Sequence, residues 1–134
     1  MPLSTTTLIK LPLLEDQRGN LTFIEGLTNV PFDIKRVYYL YGIPADAERG
    51  GHAHKQLNQF LIAVSGSFDI NLTDGNKNVQ YHLSNPSIGL LITPMVWRVL
   101  ANFTPNSVCL VLASDIFNEN DYYRDYNKFL QEAK

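Results

Sequence analysis

The chain of 134 residues carries two histidines one residue apart, His52 and His54, within the strand-like run Arg49-Gly-Gly-His-Ala-His-Lys55. Side chains two apart on a strand point to the same face, so both imidazoles enter one space. A pair of imidazoles facing a cavity either binds a metal ion or moves protons near neutral pH. A purely structural role gives no reason to gather so many polar groups on one inward face, where desolvation penalises each of them.

The metal alternative is testable on the residues. A catalytic zinc or iron site takes three or more ligands of the His, Asp, Glu or Cys type. In the metal-binding cupin pattern a carboxylate follows His-x-His on the next strand, and a third histidine comes later. Here Gln59, ahead of Gly66, stands where the carboxylate belongs, and Arg98 stands near the third histidine's place. A neutral amide is a poor substitute, and a guanidinium has no lone pair to give and repels a cation. His82 lies in a polar stretch and Cys109, the single cysteine, in an apolar one. The pair is therefore read as a metal-free, cofactor-free proton carrier.

Composition narrows the class. With 45% hydrophobic residues, a net charge of −2 and no break in composition, one globular domain over residues 1–134 is expected. The only adjacent basic pair is too little for a nucleic-acid backbone. Neither a signal-like start nor an apolar run of the roughly 20 residues a membrane span needs is present. One unpaired cysteine suits a reducing compartment, so a cytoplasmic location is expected.

Short apolar or alternating runs punctuated by turn signals predict an all-β sandwich or barrel. Strands are expected over residues 5–9, 21–25, 34–41, 51–55, 59–64, 67–73, 78–83, 89–92, 97–102 and 108–113. Asp74-Gly75-Asn76 is the strongest hairpin signal, because these residues tolerate positive φ. Near the end, Tyr122, Tyr126, Phe129, Leu130 and Ala133 recur at helical spacing, with Asn118 or Asn120 as cap, which predicts a short terminal helix. Its aromatic stripe is assigned to packing, without chemistry.

Asp16-Gln-Arg18-Gly19-Asn-Leu21, Ile34-Lys-Arg36-Val-Tyr38-Tyr39-Leu-Tyr41, Arg49-Gly-Gly-His-Ala-His-Lys55, Pro94-Met-Val-Trp97 and Leu112-Ala-Ser-Asp115 together resemble the dTDP-sugar 3,4-ketoisomerases, in order and over nearly the whole chain. The resemblance implies a cupin jelly roll, no metal, and a homodimer with exchanged N-terminal strands, for which the apolar segment 8–14 is available. It also implies conversion of dTDP-4-keto-6-deoxyglucose to a 3-keto isomer in deoxysugar or aminosugar biosynthesis. The related 3,5-epimerases usually lack the second histidine of the pair, so His54 favours the ketoisomerase. A non-catalytic nucleotide-sugar-binding cupin is the other alternative.

Moving a ketone from C4 to C3 needs a base for the C3 proton, an acid toward C4, and donors for the enediolate oxygen. The resemblance allocates His52 and His54 to these transfers, with His52 preferred as base. On the preceding strand Arg36, Tyr38 and Leu40 share one face and Val37, Tyr39 and Tyr41 the other. Tyr39 is expected to reach the sugar, with Tyr41 as fallback. Arg18 and Arg49, each beside glycine, are the candidates for the diphosphate, since arginine recognises phosphate oxygens in bidentate fashion. Gln59 is expected to bond a sugar hydroxyl or to orient His54. Trp97 either stacks on a base or fills the barrel, and filling is preferred. Lys55 points away from His54 on a regular strand and is left off the site.

Overall fold

The computed structural model describes residues 2–133; residues 1 and 134 of the expected single domain lie outside the described residues. Among the described residues twelve strands form, β1 (Thr7–Lys10), β2 (Leu13–Asp16), β3 (Gly19–Thr22), β4 (Arg36–Leu40), β5 (Arg49–His54), β6 (Gln59–Ser65), β7 (Phe68–Thr73), β8 (Asn78–Leu83), β9 (Ile88–Ile92), β10 (Trp97–Ala101), β11 (Val108–Ala113) and β12 (Tyr122–Tyr123), with one α-helix, α1 (Tyr126–Glu132). Two five-stranded antiparallel sheets, ordered β1-β9-β6-β11-β4 and β12-β5-β10-β7-β8, face each other as the expected jelly roll.

Alternation explains the layers. On β6, Leu61 and Ala63 point between the sheets, where Phe68, Ile70, Leu72, Leu90, Leu100 and Val111 complete the core. Phe60 and Ile62 point the other way and are buried against Val30 and Phe32 of the long connection between β3 and β4. A strand covered on both faces reads as a continuous apolar run rather than an alternating one. A third cluster, Ala53, Trp97, Tyr123 and Phe129, lies on the outer face of the second sheet under α1. No helix among the described residues is long and apolar enough to cross a membrane.

Expected and observed elements differ at the two ends of the chain. The strand expected over 21–25 starts earlier, at Gly19, and pairs with β2, which the sequence reading missed. The reversal is built by Asp16, whose Oδ1 accepts from the Arg18 amide at 2.7 Å, and by Gly19 at φ +121°. The terminal helix begins later than expected. Asp125, not Asn118 or Asn120, caps it, accepting from the amides of Asn127 and Lys128. Asn118 caps a 3-10 turn over Glu119–Asp121 instead. Tyr122 fits the helical period, but pairing with β5 claims it, since tertiary context overrides local propensity. The Asp74-Gly75-Asn76 turn forms as expected, with Gly75 at φ +92° and Asp74 Oδ1 accepting from two following amides.

The β5–β10 pairing carries a bulge. Arg98 lies opposite His52 and Val99 opposite Gly50, so Gly51 is an extra residue on β5. Gly50 and Gly51 hold φ of +89° and +70°, which β-carbons disfavour. At Gly50 a β-carbon would also sit 2.9 Å from the Arg98 carbonyl oxygen, whereas at Gly51 the space is open. Gly51→Ala is therefore expected to cost about 1–2 kcal/mol of unfolding free energy through backbone strain alone, and Gly50→Ala measurably more, in urea denaturation.

Candidate active site

His52 and His54 project from β5 into one cup, their ring centroids 4.9 Å apart and their planes near perpendicular. His54 is fully buried. The strand facing His52 supplies Arg98, whose guanidinium is also inside the fold at 2% exposure. Arg98 donates to the Gln59 Oε1 at 2.5 Å and to the Val96 carbonyl at 2.9 Å, and the Gln59 Nε2 donates to the Tyr38 hydroxyl at 3.0 Å. These bonds link β10 of one sheet to β6 and β4 of the other across the floor of the cup. No ion pair to Arg98 is found among the described residues.

His54 is held from behind, its Nδ1 3.1 Å from the Asp121 carboxylate. The Nε2 atoms of both rings are buried and have no hydrogen-bond partner. Burial, then the Arg98 charge, lowers the His52 pKa to about 4. Burial, then Arg98, then His52, lowers that of His54 to about 2. Both rings are thus neutral near pH 7 and neither starts as an acid. Burial pushes the Tyr38 hydroxyl up, so it stays protonated as a donor.

The cup opens into a hollow of about 630 Å³ that Arg36, Arg49 and Arg124 border with His52 and Tyr122. Tyr122 forms one wall, its ring 4.3 Å from that of His54 and 5.1 Å from that of His52. Arg124 lies 4.1 Å over the Tyr122 ring and pairs with Glu119. Such a rim of guanidinium groups suits a diphosphate. The donor set does not suit a metal ion: among the described residues no three His, Cys, Asp or Glu gather, and the places of the carboxylate and third imidazole hold an amide and a cation bonded to each other.

The expected residues divide. His52, His54, Arg49 and Gln59 come together around the cup. Gln59 is occupied by Arg98 and Tyr38 rather than by His54, which Asp121 orients. Tyr39 and Tyr41 are 59% and 70% exposed on the opposite face of their strand, and Tyr38 points inward in their stead. Trp97 neither stacks at the cup nor fills the barrel. It packs beneath α1, against Tyr126 and Phe129 at 5.1 and 5.7 Å. Arg18 stands at the tip of the β2–β3 hairpin, its side chain 90% exposed and paired with Asp16. Arg36, Tyr38, Arg98, Asp121, Tyr122 and Arg124 were not foreseen as site residues. Leu40, apolar and in phase with Arg36 and Tyr38, was a signal for the inward face, but Val37 balanced it. Nothing local marks Asp121 to Arg124, which reach the cup only by pairing with β5.

A protein-family model described as "FdtA: WxcM-like, C-terminal" matches residues 4–134. The chain is 44% identical over 114 residues to TDP-4-oxo-6-deoxy-alpha-D-glucose-3,4-oxoisomerase of Aneurinibacillus thermoaerophilus, covering 85% of this chain and 82% of that one. It superposes on QdtA, a sugar 3,4-ketoisomerase from Thermoanaerobacterium thermosaccharolyticum in complex with TDP, with a TM-score of 0.96 and 45% identity over 98% of this chain and 96% of that one. A histidine-to-asparagine mutant of the same enzyme in complex with TDP-4-keto-6-deoxyglucose matches with a TM-score of 0.94 and 44% identity over 96% and 93%.

The lowered imidazole pKa values set a pH dependence. An unfolded chain protonates its imidazoles near 6.5. The folded chain resists protonation to about 4 at His52 and about 2 at His54. Below pH 6.5 the unfolded state binds more protons, so this contribution is complete above pH 6.5 and is lost as pH falls toward the folded values. Each imidazole contributes a slope of up to about 1.4 kcal/mol per pH unit. Urea unfolding between pH 6.5 and 5 is expected to show this fall, and His54→Gln to remove roughly half the slope.

Proposed function

The chain belongs to the FdtA family, WxcM-like, C-terminal, and on that footing we propose that it is a cofactor-independent TDP-sugar 3,4-ketoisomerase acting on TDP-4-keto-6-deoxyglucose. The observation that carries the reading is the pair of neutral imidazoles whose Nε2 atoms are buried and unpartnered in a cup floored by a buried guanidinium. A neutral imidazole is a competent base, and the Arg98 charge favours the anion that forms when a proton leaves the carbon beside a carbonyl.

Atom balance requires two transfers. His52 takes the C3 proton, leaving its electron pair in an enediolate that spans C3 and C4, and the His52 imidazolium so formed, after exchange with solvent, returns a proton to C4. The hydroxyl proton on O3 must also end on O4, and the Nε2 of His54 is an acceptor suited to carry it. Arg98 and the Tyr38 hydroxyl supply positive charge and a hydrogen bond to the developing oxyanion. Arg49, with Arg36 and Arg124, holds the diphosphate. The residues 1–134 act as one domain, in the cytoplasm, within deoxysugar and surface-polysaccharide biosynthesis.

We also propose a homodimer that exchanges its N-terminal hairpins. The β2–β3 hairpin belongs to neither large sheet, and Leu13, Leu14 and Leu21 lie exposed on it. A lone two-stranded hairpin is marginal in water. Val37 and Tyr39 on β4, with Tyr41 just after it, offer an uncovered apolar strip. Seating one on the other would bury both and carry Arg18 toward the cup of the partner, which gives that residue and the two tyrosines a place the single chain does not.

Two experiments test this. With TDP-4-keto-6-deoxyglucose in heavy water, the protein is expected to yield a 3-keto product with deuterium at C4, and His52→Asn to lower kcat by about 10²–10⁴-fold. Exchange at C5 would assign an epimerase instead, and binding without turnover a non-catalytic module. Sedimentation is expected to show a dimer that Leu14→Asp with Leu21→Asp converts to a monomer of much reduced activity; a monomeric wild type ends the exchange model.

A further inference from the structure

Asp121 is 67 residues from His54 in sequence and is brought to it by a short strand. Its Oδ2 lies 3.1 Å from the His54 Nδ1 and accepts from the Leu57 amide at 3.3 Å, while Oδ1 accepts from the Gln56 amide at 2.9 Å. Its backbone carbonyl accepts from the Lys55 amide at 2.8 Å, and its own amide donates to the Asn118 carbonyl at 3.0 Å. The carboxylate is thus fixed at both ends to the turn that follows β5. Around His54 the Tyr122 ring, the β10 arginine and the second imidazole leave no other polar partner, and Nε2 has none.

We propose that Asp121 is a positioning residue: by accepting from Nδ1 it fixes the tautomer in which His54 presents a proton-free Nε2 to the substrate, and through that it sets kcat. A carboxylate only accepts, so the shared proton must sit on the ring at Nδ1. The other nitrogen then carries the lone pair, the form that can take a hydroxyl proton. Among the described residues no carboxylate pairs with His52. The two histidines therefore differ: only His54 has an anion behind it when it carries a proton. This rests on the ketoisomerase reading, since the kcat meant is that of the proposed reaction.

The obvious variant separates orientation from packing. In Asp121→Asn one oxygen becomes an NH2. The shorter bond, to Gln56, claims the remaining oxygen, so the NH2 faces His54 and drives the ring proton to Nε2, the wrong tautomer for an acceptor. A carboxylate that holds a catalytic imidazole from behind, replaced by its amide, costs roughly 10²–10⁴-fold.

The test is nitrogen-15 NMR of the histidines in the full chain, with kinetics on the keto sugar. The expected result is His54 protonated at Nδ1 in the wild type and at Nε2 in Asp121→Asn, with kcat lowered at least 100-fold and KM within about threefold. A wild-type His54 protonated at Nε2 overturns the proposal, whether or not the variant folds. So does an Asp121→Asn protein that keeps wild-type kcat. If the wild type shows the Nδ1 tautomer but no isomerase activity, the functional reading fails and the placement of the proton stands.

Discussion

A guanidinium buried in the fold without a carboxylate partner is the constraint on which the site depends. Arg98 is almost wholly inside, and burial lowers its pKa only to about 10, so the charge persists. Taking such an ion from water is expensive, and here hydrogen bonds to a carbonyl and an amide oxygen offset part of the cost. Those acceptors must themselves be held. Gln59 is fixed by Tyr38, and Val96 follows the β9–β10 turn, so two sheets are tied by the solvation of one cation. Burial first, and the same charge second, keep both imidazoles neutral. An anion arriving in the cup therefore meets a positive charge already in place.

The remainder of the cup comes from chain segments with no local reason to be there. The connection after β11 leaves the first sheet, caps a short turn with Asn118, and lays Tyr122 and Tyr123 along β5. In doing so it places a carboxylate behind one imidazole, an aromatic wall beside both, and an arginine over that wall. α1 then closes over Trp97 on the outside. The aromatic residues of the tail thus serve two faces of one sheet, Tyr122 walling the histidine pair inward and Tyr123 and Phe129 packing outward.

Strand order along the chain was legible because alternation and turn residues are local signals. β8 and β11 fall where the periodicity predicts, and the Asp74 turn forms as its residues require. The histidine pair was legible for the same reason. What failed needed tertiary information. The face of β4 was ambiguous, with Leu40 arguing one way and Val37 the other, and the choice of Tyr39 over Tyr38 followed. Tyr122 satisfied a helical period by coincidence. Asp121 is an unremarkable acidic residue in a polar stretch until β12 meets β5. Trp97 begins an expected strand, but which side it faces depends on the placement of α1.

The extra residue in β5 shifts the phase of that strand. His52 lies opposite Arg98 and Arg49 opposite Leu100, both inward positions of β10. Three residues apart on an uninterrupted strand, Arg49 and His52 would face opposite ways. The single inserted glycine reverses the parity, so the Arg49 guanidinium and the His52 imidazole share one side. Gain or loss of one residue at this point turns Arg49 outward while leaving the imidazoles in register, so the charge at the rim and the ring pair in the cup can change independently of each other.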